Sequence, residues 1–600
     1  MNMKSVTVIC LIFCSTWAFG QSDSIPDSLR FYRQVEDVAK KKKTTFWLFR
    51  EIFNLPSKKK TKEAARRRVN YEKLQGRVIR QIDVQSLDPF GYSVHDTSAK
   101  PSNVLEKTLN FLHQRSTKMS ITNQLLYEPG DTLDVLKVKE SERISRSSSQ
   151  IREIVTYVKP VKHTDSVDVL IKTQDYWSKS FGLAYSKDEY FFNFTDQNFL
   201  GLAHYWKSDL TYYRQQEKFV ASGIYSVPYI NHYRIIPTAY YSTDRDNFLR
   251  GVNIRRPFIS PLFKWAGHAA YYDIKESGST VLPEQNTITY ATRWHVKDYW
   301  LGRSFSLAPG KSEEVRVTKL IAGARYIMSD FLFHAPEVVA PIHFYENTNF
   351  FLANIGLTNR SYYSDHYVYR FGVQEDVPTG RILNLVGGYE TRGSGDRWYT
   401  GIETGTANYF DDFGYLSMRA SFGSFIRHGS LEQSVVNIHM GYFSDLLEVK
   451  NYRFRQFVKF GVTYGFNRVR SESLNLNEEI KGLESSLARG IKKATLALQT
   501  QAYLPYSFLG FHFAPFFFIS FGLINDQDSP LLRSRLYQGY GFGLIIKNEL
   551  LVIHSFQVAI GFYPYIPDRD GSVLRLNPVK TYDFSFEDFE IQEPGIIPLE

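Results

Sequence analysis

Tyr452-Arg453-Phe454-Arg455-Gln456-Phe457-Val458-Lys459-Phe460-Gly461-Val462-Thr463-Tyr464-Gly465-Phe466-Asn467 is the stretch that decides the fold. One face carries Tyr452, Phe454, Val458, Phe460, Val462, Tyr464 and Phe466. The other carries Arg453, Arg455, Lys459, Gly461, Thr463, Gly465 and Asn467, with Gln456 and Phe457 each on the wrong face. Period two is the period of a β-strand. Strands of soluble sandwiches typically have about 5 or 6 residues. A longer run that sets an apolar face against Arg, Lys and Gly fits a strand standing between lipid and a polar lumen. Lipid offers backbone groups no partners, so a sheet at membrane depth has to close on itself.

From Trp177 onward, alternating segments recur between turns rich in Asp, Asn, Gly and Ser. The expected fold is therefore mainly β: a transmembrane antiparallel β-barrel over residues 176–591, preceded by a small α/β domain and followed by a tail, 592–600. Alternation alone marks about twenty candidate strands. The last is Tyr582–Phe586, after the loop Pro567-Asp568-Arg569-Asp570-Gly571.

Composition agrees. Aromatics make up 16% of the 600 residues, with 40 Tyr and 46 Phe, yet the mean hydropathy is only −0.30. Beyond residue 20 the most apolar run is Phe513–Leu523, about half of what a membrane-spanning helix needs. Residues 1–20 have the layout of a secretory signal peptide: Lys4, an apolar stretch from Val6 to Phe13, then Ala18 and Gly20 before a cleavage site at Gln21. The two cysteines, Cys10 and Cys14, lie inside it, so the mature chain offers no disulfide, thiolate or Cys-ligated metal. The net charge of +10 is concentrated in a basic, partly helical segment, 21–75, with Lys40–Lys43, Lys58–Lys60 and Arg66–Arg68. It reads as a solvated linker or as an arm against an anionic membrane. A signal peptide directs the chain away from nucleic acid.

Residues 76–175 have the pattern of a small α/β domain. Strand signals cover Val78–Val84, Ile151–Val158 and Ser166–Ile171, and helical spacing covers Pro101–His113 and Leu133–Arg146. This segment resembles a polypeptide-transport-associated (POTRA) domain through Gly76-x-Val78-Ile79-Arg80-x-Ile82, Leu87-Asp88-Pro89-Phe90-Gly91, Gly130-Asp131, Glu140-Ser141-Glu142-Arg143 and Val167-Asp168-Val169. The remainder resembles the BamA/TamA superfamily through Asn198-Phe199-Leu200-Gly201, Glu375-Asp376-Val377-Pro378-Thr379-Gly380 and Ile480-Lys481-Gly482-Leu483. The last of these stands where the family carries its lumen-loop motif, with Lys481 in place of Arg and Leu483 in place of an aromatic.

The resemblance implies about sixteen strands, a bacterial outer-membrane location with a periplasmic N-terminal region, and a protein that assists insertion or translocation of polypeptides. Outer-membrane lipid and unfolded polypeptide clients are the partners it implies, with periplasmic accessory proteins as further candidates. In a lumen loop Lys481 would pair with an acid of the inner wall, and Asp376 is one candidate. In an extracellular loop it would be solvated. No catalytic motif, metal site or cofactor is expected. The alternatives are a passive or substrate-selective pore and a barrel-embedded hydrolase with a triad assembled across strands.

Overall fold

The computed structural model describes residues 72–599 and Phe53–Asn54, apart from stretches of which the longest are 337–344 and 577–587. The signal peptide, most of the basic segment, Lys481 and the candidate strand Tyr582–Phe586 lie outside the described residues. Phe53–Asn54 and Tyr506–Phe508 belong to one unit, in which Phe53–Asn54 pairs antiparallel with Ser507–Phe508. The second unit, Pro56–Pro505 with Gly510–Glu600, holds an α/β domain and a large sheet.

In the α/β domain, β1 (Val78–Leu87) runs parallel to β3 (Ser166–Asp175), which pairs antiparallel with β2 (Ile151–Pro160), giving the order β1-β3-β2. Its helices are α1 (Val104–Leu112), α2 (Lys118–Thr122) and α3 (Val135–Ser147), the second of which has too few residues to show a period. Asp134 caps α3, accepting from the amide of Leu136 at 3.0 Å. Ile79, Ile82, Val138, Ile154, Val167, Val169 and Ile171 meet in a dry core. Here alternation buries the apolar face.

Among the described residues, twenty successive strands of four residues or more follow, from β4 (Lys179–Tyr185) to β23 (Val573–Leu576), each antiparallel to the next. The sheet order then returns from β23 to β4, so the sheet curls into a barrel. The strand number read from alternation holds, and the sixteen implied by resemblance is too low. Mid-barrel strands are long: β11 (Thr287–Ser306) has 20 residues, and β13 (Thr348–His366) pairs with β14 (Gln374–Arg392) over 19 positions. The first and last are short, with seven and four residues.

The barrel is apolar outside. On β22 (Phe556–Tyr563), Phe556, Val558, Ile560 and Phe562 are 43–55% exposed, while Ala559 and Tyr563 point inward and are buried. The inward face of β13 carries Phe350, Leu352, Asn354, Gly356, Thr358 and Arg360, and its outward face Phe351, Ile355 and Leu357. An apolar outer wall is what lipid outside a closed sheet selects, and the interior here sets polar residues beside buried aromatic clusters. Among the described residues no helix is long and apolar enough to cross a membrane.

β18 (Tyr452–Phe466) resolves the two exceptions in its pattern. Phe457 faces inward, 1% exposed, in a core with Phe443 and Tyr415. Gln456 faces outward and accepts from the hydroxyl of Thr500 on the adjacent strand at 2.5 Å. Arg455 is enclosed completely. Its guanidinium donates to the carbonyls of Tyr367, Ser444 and His366 and to Asp365, all within 2.9 Å.

Candidate functional site

The α/β domain docks on one end of the barrel, the near mouth. Its contacts use the segments that the family resemblance singled out. The turn Asn198-Phe199-Leu200-Gly201, after β5 (Glu189–Phe199), receives the chain between α1 and α2. Gly201 accepts from the Thr117 amide at 2.8 Å, and the Asn198 amide donates to Gln114 O and Ser116 Oγ at 3.1 Å. Gly201 has φ +72°, and a Cβ there would overlap the carbonyl of Arg115. Only glycine combines that dihedral with that approach.

α3 supplies the charged half of the contact. Arg143, 8% exposed, bonds Glu140 at 2.9 and 3.1 Å, donates to the carbonyl of Ile259 and lies 4.2 Å over the ring of Tyr362 on β13. Arg146 makes a bidentate pair with Asp376 on β14 at 2.8 and 3.1 Å. Glu142 accepts from the Thr156 amide, and burial pushes its carboxyl above the ordinary value despite the pull of Arg146. At the start of α3, Arg316 of α4 (Glu313–Val317) grips Asp134 at 2.6 and 2.9 Å. Burial opposes the Asp134 charge, but the Arg316 bonds outweigh it and hold the carboxyl below its ordinary value.

Two segments enter the barrel. The first is the long connection after β18. Leu474, Leu476, Ile480, Leu483 and Ala488 pack with Ile524, Tyr563 and Ile566. Ile480 lies against Gly522 of β20 (Phe511–Asn525) and Gly539 of β21 (Tyr537–Asn548), where a Cβ would come within 2.8 and 3.1 Å of it. Ile480 and Leu483 are 1% and 0% exposed, so this connection folds inward. It sits at the far mouth, near the ends of β18 and β20. Asp376 stands at the near mouth and is held by Arg146, so the structure does not bring Asp376 together with the Ile480–Leu483 segment.

The second segment, residues 588–599, carries no strand. It starts at the near mouth, where Arg360 holds Asp588 at 2.5 and 2.8 Å and Glu590 at 3.1 Å, and Tyr362 donates to Asp588 at 2.8 Å. It then passes Arg325 on β12 (Thr318–Phe333), whose guanidinium reaches Pro594 O at 3.1 Å. Near the far mouth Tyr399 on β15 (Arg397–Phe410) accepts from the Ile597 amide at 2.6 Å. Asn437 on β17 (Ser430–Phe443) donates to Pro598 O at 3.0 Å. Leu599 finally joins the core around Ile480. The segment therefore runs through the lumen from near to far mouth.

Reading the sequence alone missed this arrangement, because Asp588–Leu599 has no periodicity and Pro594 and Pro598 exclude a ladder strand. The available signal was charge. Acids at 588, 590 and 593 follow a barrel whose inward positions include Arg325, Arg360 and Arg419.

The geometry defines a class: an outward-apolar β-barrel, filled from within by two of its own segments and capped at one mouth by an α/β domain. No family model and no curated protein matches the chain. Solved structures similar to it include CdiB from Escherichia coli, at 11% identity over 92% of this chain and 98% of that one, with a TM-score of 0.37. CdiB from Acinetobacter baumannii covers 88% of both chains at 11% identity and a TM-score of 0.35. BamA from Haemophilus ducreyi lacking POTRA domains 1–3 covers 83% of both at 11% identity and 0.29.

Proposed function

We propose that this chain is a bacterial outer-membrane protein that assists insertion or translocation of polypeptides, with the α/β domain acting as a periplasmic POTRA-like receiver. The observation that carries this reading is the docked domain above a lumen already filled by extended chain. β1 and β2 are the edges of the domain's sheet, and an edge strand can take up an unfolded chain through main-chain hydrogen bonds, a mode tolerant of sequence. The short strands β4 and β23 stand next to each other in the sheet order, and among the described residues no ladder register joins them, so the junction of least ladder lies there. A passive pore would keep an open lumen, and here the second segment spans it from mouth to mouth.

Residues 1–20 would deliver the chain to the envelope, leaving the outer face against lipid and the N-terminal region in the periplasm of a Gram-negative cell. The reading assigns no catalytic residue and no cofactor. Depleting the protein while quantifying outer-membrane and secreted proteins tests it, alongside conductance in planar bilayers. Selective loss of clients with low basal conductance is the expected result. An unchanged envelope proteome with a large steady conductance would establish a pore instead.

A further inference from the structure

The contacts of residues 588–599 have an unusual composition. Four wall side chains donate to main-chain carbonyls: Arg419 to Asp588 at 2.6 Å, Thr358 to Phe589 at 2.5 Å, Arg325 to Pro594 and Asn437 to Pro598. Carbonyls are common to every polypeptide, so this half of the recognition does not depend on sequence. The other half is charge, with Arg360 buried at 5% exposure between Asp588 and Glu590.

The wall is also shaped for the segment. Three inward glycines, on β13, β16 (Gly414–Arg427) and β18, lie under its apolar side chains. A Cβ on Gly356 would come within 2.5 Å of Ile591, one on Gly423 within 2.8 Å of Ile597, and one on Gly465 within 2.9 Å of Leu599. Carbonyl donors, an arginine for acids and glycine hollows for apolar side chains are together a reading head for extended polypeptide.

We propose that the inner wall from β12 to β18 is a binding track for an extended, acidic polypeptide segment, held in this state by the chain's own residues 588–599. This deepens the reading of the barrel as a polypeptide-handling machine, since a client would take the track when the resident segment leaves. A tethered segment competes at an effective concentration of roughly millimolar, so free peptide at micromolar concentration is excluded until the segment is removed.

The test uses purified protein and a fluorescent synthetic peptide of residues 588–600, with no client assay, so its outcome is independent of depletion experiments. Binding is measured by anisotropy to the full chain, to a variant lacking 588–600, and to the Gly423→Cys/Ile597→Cys double variant. In that pair a Cβ at 423 lies 2.8 Å from the Ile597 Cβ, a small shift from disulfide spacing of about 3.5–4.5 Å.

The truncated barrel should bind the peptide on the order of a hundredfold more tightly than the full chain, as loss of a tethered competitor requires. It should discriminate against a peptide carrying Asp588→Lys and Glu590→Lys. If truncation prevents folding, the double variant decides at peptide concentrations above the roughly millimolar effective concentration of the tethered segment: reduced protein should take up peptide and oxidised protein should take up none. A folded truncated barrel that ignores the peptide, or binds both peptides alike, would overturn the track. So would equal uptake by reduced and oxidised protein. In each of those cases the segment is a permanent structural filling, whatever depletion shows about clients.

Discussion

β3 of the docked domain and β22 of the barrel have the same alternation and opposite meanings. In β3, Val167, Val169 and Ile171 are 0–1% exposed and make a dry core. In β22, Phe556, Val558, Ile560 and Phe562 are about half exposed and the sheet's interior side carries Gln557, Ala559, Gly561 and Tyr563. Hydrophobic burial is satisfied in one by protein, and in the other it is left to whatever surrounds the barrel, lipid on the proposed reading. Period two locates a strand, and the residues between the apolar ones say which solvent it faces.

The largest expected effect breaks this comparison at its dry side. Val169→Asp buries an unpaired carboxylate, costing more than about 5 kcal/mol, and should abolish the cooperative circular-dichroism melt of residues 76–175. Val558→Asp on the outer wall should cost less than the ~2–4 kcal/mol found for Arg or Lys at a bilayer midplane. The two variants, compared by melt and by heat-modifiable gel mobility, should differ in that order. Equal losses would mean the outer wall is buried by protein.

Next in size, Arg360→Ala strands Asp588 and Glu590 at a cost of roughly 3–5 kcal/mol, read as a lower temperature of heat-modifiable mobility. Retained wild-type mobility would show that the interior is wet enough to solvate both acids. Smaller still, a double-mutant cycle over Arg146→Ala and Asp376→Asn should give a coupling of about 0.5–3 kcal/mol, measured by domain release under limited proteolysis. Zero coupling would detach the domain from the mouth.

The smallest effect is that of pH on Asp134. Its carboxyl is held below the ordinary value in the folded state, so the contribution is complete above the unfolded value of about 3.9 and is lost as pH falls through the lower folded value. Protease access to the α3 contact should therefore rise only at acid pH, and Arg316→Ala should remove that dependence.

Much of this was legible in residues. The faces of β18 were assigned from its sequence, including the outward Gln456 and inward Phe457, because a long strand between two solvents repeats its signal many times. The sixteen strands implied by resemblance, preferred over the count of about twenty from alternation, fell short of the twenty described. α2 was not legible, since Lys118–Thr122 is too short to carry a period. Nor was the lumen segment, whose contacts are to carbonyls that every residue possesses. Asp376 was read as a candidate partner of Lys481, and the cationic partner it has among the described residues is a different one. That partner, Arg146, lies 230 positions away in sequence, beyond the reach of any local pattern.

Arg455 has a mechanical consequence. By tying the Asp365–Tyr367 turn to Ser444, it binds two rim loops that flank the β15–β16 turn into a hoop at the near mouth. That side of the wall also has the longest ladders, 19 positions between β13 and β14, whereas β4 and β23 bring seven and four residues to the opposite junction. The barrel thus has a stiff back and a pliant front. Strain imposed on the barrel will fall on the front, and the braced mouth will keep its shape while the front yields.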